Sequence, residues 1–539
     1  MNSFVICLFF VIASLSNAQN FRYKIDDWYV LKRPGRITAI SENRFSIYFA
    51  SDNGIYIYDK GLEDFRIDNA LSKFENFYNI EHFHYDPYHD YFWVVDGKSV
   101  NFKSSVSSMW RELDIHNTDI VNIYNIDRIG SSSQYFWIES FGKLYPFDPL
   151  SSQPAKWEEA ELQKDFINWS SENNSFNNSS IDISRFSIDG DWTVGLDGIF
   201  DKNGRRVNVT VHLEDDEGHH WYGTDSGFIL KGWSYSSRLE VLEIGLPFND
   251  ITVAYFDNEN WWFADSKFRR TGKISTSNNV NSFNVMPFLG RWNEADNSWK
   301  YYYSNESISI ENTDINSIIN VGNIIYFGTM SGLLYLDIYN NEWNIIDRAQ
   351  GLNDNAVWDM IEHNGSIYLA TSNGINEVSL INQSVISDSN DPFLNLKNVN
   401  IYDLETDSVN LYIASNIGLL EFGWKEEEMI ILSKRIFKNI RLKNGTILGS
   451  DDALWAIDQY NNEQLIDSNV QSFDMCGSFL WKSNEMGVTL QDTTTTELWR
   501  YGPKDGIPGN KIYEVNCDDD WAWFLTNRGM AFYNWSKYH

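Results

Sequence analysis

Cysteine and cationic residues are scarce in this chain of 539 residues. Three cysteines are too few for a disulfide-scaffolded domain, and neither a CxxC pair nor a zinc-type spacing occurs. The 42 Lys and Arg residues face 75 Asp and Glu, which gives a formal net charge of −33. A surface this acidic repels phosphate, so nucleic acid is excluded as a general partner.

Long apolar runs are also scarce. Residues 4–15 form one run of signal-peptide length, followed by the small residues of Ser16-Asn17-Ala18. We therefore expect residues 1–18 to be a cleaved signal peptide. No later segment reaches the ~18 uncharged apolar residues of a membrane span. The sequence predicts an exported protein, periplasmic or extracellular, with no integral membrane segment.

Aromatic residues are abundant, with 22 Trp, 29 Tyr and 34 Phe, and they recur in an internal repeat. A thirteen-residue pattern with Gly at its eighth position occurs at 47–59, 325–337, 367–379, 411–423, 480–492 and 522–534. Degenerate copies begin at Phe92, Phe136, Trp192, Trp221, Trp261 and Ile447. The glycines Gly332 and Gly374 lie 42 residues apart, which is typical of the spacing. Twelve such units account for most of the chain.

Each unit has the pattern of a β-hairpin, in which aromatic and β-branched residues alternate on both sides of a turn glycine. An apolar run precedes most hairpins and a Trp-centred strand often follows. Four short strands per ~43 residues is the pattern of a propeller blade. The sequence therefore predicts an all-β fold with about 12 four-stranded blades in two tandem propellers. We expect about six blades in residues 19–300 and about six in 301–539.

The two ends of the chain indicate how the repeat closes. The chain stops just after a third strand, whereas Trp28-Tyr29-Val30 resembles the fourth-strand segments Trp343-Asn344-Ile345 and Trp499-Arg500-Tyr501. We expect residues 26–31 to complete the last blade and to cover its exposed edge.

The segment 351–357, followed by Asn364-Gly365 and the turn at Ala370–Ile375, resembles the two-component-regulator propeller repeat. The segments 216–218 and 221–228 resemble it as well. In that family, tandem propellers form periplasmic sensor regions that often bind oligosaccharides. Residues 28–59 are also similar to the opening blades of the propeller component of type IX secretion. The resemblance implies a propeller fold, with a glycan ligand or an envelope complex as partner.

A basic segment is the candidate ligand-binding site. Its cations and the aromatic residues that precede them are Lys267, Arg269, Arg270, Lys273, Trp261 and Trp262. Cations in an apparent loop insertion favour an anion or acidic glycan, since Arg binds carboxylates bidentately. The alternative is a solvated loop that balances nearby acids.

No metal site and no cofactor are predicted. The acidic clusters at 214–217, 426–428 and 518–520 lack the ligand spacing of known calcium loops. His82 and His84 share a strand face and His219 and His220 are adjacent, but no third ligand accompanies either pair. We expect satisfied surface histidines.

Catalytic motifs such as GxSxG, HExxH and the P-loop do not occur in the sequence. Ser187–Trp192 resembles one imperfect copy of the sialidase Asp-box. The sequence favours a non-catalytic propeller that binds a glycan or protein, or that scaffolds an envelope complex. The alternative is a secreted carbohydrate-active enzyme whose site lies between two propellers.

The last two cysteines are candidates for a disulfide. Cys476 precedes Gly487 by 11 residues and Cys517 precedes Gly529 by 12, so both occupy nearly equivalent positions in consecutive blades. A bond requires Cα atoms within about 7 Å, and export would permit oxidation. The alternative is two buried thiols that act as small apolar residues.

Overall fold

The computed structural model describes residues 27–539 apart from 67–79, 98, 108, 116–117, 119–124, 171–182, 196–197, 203, 268–286, 304–313, 387–390 and 444. The predicted signal peptide lies outside the described residues. Strands make up nearly all of the regular structure that is described, and they form twelve sheets: nine of four strands, two of five and one of three. The predicted all-β repeat architecture is confirmed. We number the sheets blades 1–12 in chain order.

Blades 1–5 occupy the first half of the chain. The strands of blade 1 are Ile37–Glu42, Ser46–Ser51, Gly54–Asp59 and Asp64–Arg66, and those of blade 2 are Ile80–Asp86, Tyr91–Asp96, Val100–Ser104 and Arg111–Glu112. Blade 3 contains Ile126–Ser131, Phe136–Ser140, Lys143–Asp148, Gln153–Pro154 and Asn168–Trp169, and blade 4 contains Thr193–Gly195, Gly198–Phe200 and Arg206–Val207. Blade 5 contains Val209–Glu214, His219–Thr224, Ile229–Trp233 and Arg238–Leu242, and the strand Ser187–Ile188 pairs with the last of these in parallel.

Blades 6–12 follow. The strands of blade 6 are Val253–Phe256, Asn260–Ala264, Leu289–Asn293 and Trp299–Tyr302, those of blade 7 are Ile315–Val321, Ile324–Thr329, Gly332–Asp337 and Glu342–Ile346, and those of blade 8 are Val357–His363, Ser366–Thr371, Gly374–Ser379 and Ser384–Val385. Blade 9 contains Ile401–Thr406, Asn410–Ser415, Gly418–Gly423 and Met429–Ser433, and blade 10 contains Asn439–Lys443, Thr446–Ser450, Leu454–Ile457 and Glu463–Asp467. Blade 11 contains Ser472–Cys476, Phe479–Asn484, Gly487–Asp492 and Leu498–Tyr501, and blade 12 contains Ile512–Cys517, Trp521–Thr526 and Gly529–Asn534 together with Trp28–Leu31.

Helical structure is confined to short pieces in the described residues. These are the α-helix Trp157–Ala160 and the 3-10 helices Glu161–Phe166, Arg348–Gln350 and Leu394–Leu396. None of the helices in the described part of the chain is long and apolar enough to cross a membrane.

A hydroxyl and a glycine together build the hairpin turn of the repeat. In blade 7, Thr329 Oγ1 donates to the Gly332 carbonyl at 2.8 Å and accepts the N–H of Ser331 at 3.0 Å. Gly332 has a φ of +132°, which disfavours any residue with a Cβ. A Cβ at Gly332 would also lie 2.5 Å from the Ile346 carbonyl oxygen of the fourth strand. Glycine is therefore required both by the turn and by the close approach of the outer strand.

The N-terminal strand takes the fourth-strand position of blade 12. Trp28–Leu31 runs antiparallel to Gly529–Asn534, with Trp28 opposite Tyr533. A Cβ at Gly529 would collide with the Leu31 carbonyl, as one at Gly332 would with Ile346. The Trp28 ring is fully buried and stacks on Tyr533 with centroids 4.5 Å apart. The chain's first described strand thereby packs into its last blade.

The blades pack in two groups, as judged from their innermost strands, which are the first strands of each blade. In the N-terminal group, blades 1–5, the inner strand of blade 1 contacts those of blades 2 and 5, and blade 2 contacts blade 3. In the C-terminal group, blades 6–12, inner strands touch in succession from blade 6 to blade 10 and between blades 11 and 12. Blades 10 and 11 share a hydrophobic cluster, and another joins blade 12 to blade 6.

The position of blade 6 bears on the domain boundary. Its strands, within 253–302, share one hydrophobic cluster with blade 7 and another with blade 12. A boundary at residue 300 would separate blade 6 from both neighbours. We therefore propose that the two propellers divide between Leu242 and Val253, with blade 6 in the second propeller.

Cys476 and Cys517 end the inner strands of blades 11 and 12, and they are joined in a disulfide with Cα atoms 6.1 Å apart. The link therefore ties the blade that the N-terminal strand completes to the blade before it. Cys517 N–H also donates to Asp474 Oδ2 at 2.9 Å, so a hydrogen bond supports the same pair of strands.

Candidate functional site

One extended segment crosses between the two groups of blades. Residues 32–36, Lys-Arg-Pro-Gly-Arg, lead from the closing strand of blade 12 into blade 1. The Lys32 carbonyl accepts the Tyr56 hydroxyl of blade 1 at 2.9 Å and the N–H of Leu246, after blade 5, at 3.0 Å. Hydrogen bonds to the Lys32 carbonyl therefore fix this segment at the junction of the two groups.

An open cavity of about 270 Å³, the aromatic hollow, lies at this junction. The hollow is lined by Asp189, Gly190, Trp192, Lys202, Glu240, Val241, Glu243 and Trp299. Asp189 precedes blade 4, Glu240 is on the last strand of blade 5, and Trp299 is on the last strand of blade 6. Three blades from both groups thus contribute to one site.

The rings and charges of the aromatic hollow are held by their neighbours. Trp299 stacks on Trp292 with centroids 5.6 Å apart. Arg238 donates to Asp189 Oδ1 through Nε at 2.8 Å and through Nη2 at 2.6 Å. Lys202 Nζ lies 4.7 Å from the Tyr303 ring. The half-buried indole of Trp299 beside fixed carboxylates suits a sugar, whose C–H face packs on a ring while its hydroxyls donate to the acids.

The inner strands of the C-terminal group carry a second cluster of charge. Arg441 Nη1 lies 3.6 Å from Asp403 Oδ2 and 3.4 Å from Glu405 Oε1, and its Nη2 lies 3.9 Å from Glu514 Oε1. Burial raises the pKa of Asp403 well above its usual range, and the neighbouring charge of Asp359 adds to the shift. Burial also raises the pKa of Glu405 to about 7, although Arg441 opposes the shift.

These inner-strand carboxylates join neighbouring blades. Asp359 Oδ2 accepts the N–H of Leu404 at 3.0 Å, and Asp403 Oδ2 accepts the N–H of Ile440 at 2.7 Å. Each acid therefore satisfies a backbone donor on the next inner strand, and the cluster is accounted for as part of the fold. In the described part of the chain, the group with metal-ligand spacing is Asp474 with Cys476 and Cys517, whose sulfurs are bonded to each other.

The histidines of blade 2 correct an expectation from the sequence. His82 and His84 are buried rather than on the surface, with 5% and 1% of their area exposed. His82 Nε2 donates to the Ile126 carbonyl at 2.9 Å, and His84 Nε2 lies 2.8 Å from Ser131 Oγ. Burial lowers the pKa of His82 to about 4 and that of His84 to about 3. They join blade 2 to blade 3 as neutral groups, which alternation along a strand could not reveal.

The predicted basic site lies largely outside the described residues. Of its four cations only Lys267 is described, and its side chain is exposed; Arg269, Arg270 and Lys273 are not. Trp262 is fully buried, and its Nε1 donates to Asp257 Oδ2 at 2.7 Å. Trp261 packs edge-on against Trp523 of blade 12, with centroids 5.6 Å apart. Both rings belong to the hydrophobic core, because the blade itself needs them for packing.

The sequence contained partial signals for the junction. The Asp-box-like segment 187–192 contributes Asp189 and Trp192 to the aromatic hollow. Three cations in the five residues 32–36 are conspicuous in so acidic a chain, but nothing in their pattern indicates that they lie beside blades 4 and 5. Contact between segments so far apart in sequence is decided by how the blades pack.

No protein-family model and no curated protein matches the chain, but solved structures do. It is similar to PorZ, an essential bacterial surface component of the type IX secretion system of Porphyromonas gingivalis, with 10% identity, 94% of this chain and 87% of PorZ covered, and a TM-score of 0.55. It is also similar to the extracellular domain of BT4673 from B. thetaiotaomicron, with 14% identity, coverages of 92% and 75%, and a TM-score of 0.41. A third match is YCF48 bound to D1 peptide, with 12% identity, coverages of 53% and 93%, and a TM-score of 0.40. The resemblance to the propeller component of type IX secretion is confirmed as a shared fold.

Proposed function

We propose that this chain is an exported, non-catalytic β-propeller protein that binds a glycan in the aromatic hollow. The observation that carries the proposal is the convergence of Trp192, Trp299 and three carboxylates in one cavity built by three blades. Such a cavity offers the half-buried ring of Trp299 for the apolar side of a sugar and acceptors for its hydroxyls. Export is supported by the predicted signal peptide.

Glycan binding is tested with a neutral and acidic glycan array, followed by titration of the best ligand. Glu240 is exposed, so Glu240→Gln should leave the fold intact and weaken binding by about tenfold, the effect of one hydrogen bond to a charged group. Glu342→Gln, an exposed acid on the outer strand of blade 7, is the matched control and should bind as the wild type does. Equal binding by the wild type and Glu240→Gln would exclude the aromatic hollow.

A carbohydrate-active enzyme with its site between two propellers is the second candidate. It is favoured by the presence of Asp189, Glu240 and Glu243 in one cavity, since glycoside hydrolysis needs a pair of carboxyl groups. Release of reducing sugar from a bound polysaccharide would establish this candidate and overturn the non-catalytic proposal. Binding without release would exclude it.

A scaffold in an envelope complex is the remaining form of the proposal. It is supported by the fold shared with PorZ, a surface component of a secretion system. Affinity purification of the tagged chain from cross-linked envelope fractions should then recover the same partners in each preparation. Recovery of the chain alone would count against a scaffolding role and leave the glycan proposal to its own test.

A further inference from the structure

We infer that the junction holds a second binding site, which takes one oxyanion group, a carboxylate, sulfate or phosphate, at the guanidinium groups of Arg33 and Arg205. This site, the basic hollow, is separate from the aromatic hollow. The inference goes beyond the proposed glycan site, because an inorganic anion tests it and either site can fail without the other.

The basic hollow is small and has rigid walls. Its cavity volume is about 20 Å³, which admits about one oxygen atom of a ligand group and is too little for a sugar ring. Its lining includes Arg33, Arg205, Phe228, Leu246, Tyr301 and Tyr303. The Tyr301 hydroxyl lies 2.9 Å from each of the carbonyl oxygens of Ile244 and Gly245, so one wall is fixed by hydrogen bonding.

The guanidinium of Arg33 makes no ion pair and no hydrogen bond with any described residue. Arg205, in contrast, pairs through Nε with Asp201 Oδ2 at 3.1 Å. Burial lowers the pKa of Arg33, and the positive charge of Arg205 lowers it further, against an opposing effect of Tyr301. In a chain with 75 acids, a half-buried arginine without an acidic partner is left with a desolvation cost that an oxyanion would offset.

Two further cations lie at and beside the crossing segment. Burial lowers the pKa of Lys32 to about 8, and the neighbouring charge of Arg528 contributes. Two successive residues of the crossing segment thus lie beside other cations, Lys32 beside Arg528 and Arg33 beside Arg205. Guanidinium groups bind carboxylate, sulfate and phosphate oxygens with directed, charge-assisted hydrogen bonds. The apolar side chains around the hollow would exclude water from that contact and strengthen it.

Equilibrium dialysis of the full chain against radiolabelled sulfate, with ionic strength held constant by chloride, tests the inference. We expect saturable binding of one sulfate per chain. Arg33→Gln should weaken that binding by at least about tenfold, since it removes a charge-assisted contact. Arg36→Gln, an exposed cation of the same crossing segment that does not line the hollow, should bind sulfate as the wild type does.

Competition by unlabelled phosphate and by acetate then distinguishes the source of the group. Stronger competition by acetate indicates a carboxylate ligand, and stronger competition by phosphate indicates a phosphorylated one.

The melting temperature of Arg33→Gln without sulfate should equal or exceed that of the wild type, because Arg33 makes no internal ion pair. Equal sulfate binding by wild type and Arg33→Gln, or no saturable binding by the wild type, would overturn the inference. Either result would leave the glycan-array test of the aromatic hollow unaffected.

Discussion

The two groups of blades join their inner strands in the same way but with different chemistry. In the N-terminal group, Ser41 Oγ accepts the Tyr85 N–H at 3.0 Å, and His82 donates to the Ile126 carbonyl. In the C-terminal group a carboxylate accepts at several of these links, as where Asp403 accepts the Ile440 N–H, although hydroxyls still accept at others, as where Ser472 Oγ accepts the Val515 N–H at 3.0 Å. The links named in the N-terminal group use neutral groups, whereas the C-terminal group adds acidic side chains to the same kind of link.

This difference shows that an acid can occupy an inner-strand position where a hydroxyl would also accept the hydrogen bond. A carboxylate is a stronger acceptor than a hydroxyl, and each inner-strand acid satisfies a donor on the next blade. Acids on consecutive inner strands, however, lie close to one another, as Asp359 and Asp403 do, and they repel each other. Arg441, beside Asp403, Glu405 and Glu514, offsets that repulsion. The inner strands of the C-terminal group are therefore joined by strong hydrogen bonds, and the repulsion between their acids depends on pH.

The strand Trp28–Leu31 completes a blade of the C-terminal group, and Trp28→Ala tests how far its contribution is confined to that group. Trp28 is fully buried in blade 12, so its loss should destabilise the C-terminal group by about 3–5 kcal/mol. Trp157→Ala, in which 40% of the side chain is already exposed, is the control and should cost far less. Hydrogen exchange measured by mass spectrometry should show faster exchange in blades 11 and 12 and little change in blades 1–3. Uniform acceleration across all blades would show that the two groups unfold as one unit.

The disulfide distinguishes the same two groups, because both of its cysteines lie in the C-terminal group. In the chain-entropy description, closing a loop of this length contributes roughly 2–4 kcal/mol. Replacing both Cys476 and Cys517 with Ala should lower the unfolding free energy of the C-terminal group by that amount. Mass spectrometry of a non-reduced digest is the direct measurement. Two alkylatable thiols in protein taken from its native compartment would show that the bond is not formed there.

The unfolding free energies of the two groups should change with pH in opposite directions. His82 titrates near 6.5 when unfolded and at about 4 when folded, so the N-terminal group should lose roughly 3 kcal/mol as pH falls from 6.5 to 4. Glu405 has its pKa raised from 4.5 to about 7, so its contribution is most favourable below pH 4.5 and is lost as pH rises through 7. Hydrogen exchange of blades 2–3 and 8–10 at several pH values, corrected for the intrinsic exchange rate, would measure both trends. A common direction in both groups would contradict the comparison.

The smallest expected effect comes from two variants that separate the charge of Asp403 from its hydrogen bond. Asp403→Asn keeps an oxygen that can accept the Ile440 N–H but removes the repulsion from Asp359. This variant should be as stable as the wild type or slightly more stable near pH 7. Asp403→Ala also loses the acceptor and should be less stable than Asp403→Asn by about 1 kcal/mol. Denaturant unfolding of the two variants side by side gives this difference, and equal stabilities would show that the hydrogen bond contributes nothing.

The repeat, the hairpins and the twelve blades could be predicted from the sequence because they depend on local patterns. Alternation of apolar residues sets the strands, and turn glycines such as Gly332 and Gly529 are required wherever φ is positive. The likeness of Trp28-Tyr29-Val30 to fourth strands indicated the place where the structure pairs it with blade 12. These features repeat every blade, so each copy reinforces the pattern.

Only the tertiary structure decided which blades pack together and what lies between the two groups. Blade 6 carries the same strand pattern as its neighbours, yet its side chains pack against blade 12, more than 200 residues away. The hollows at the junction combine Arg33, Trp192 and Trp299 through the stacking of whole sheets. The burial of His82 and Trp262 follows from the same packing. A sequence pattern specifies which residues share a face of a strand, but the surface that covers that face is set by the blade packed against it.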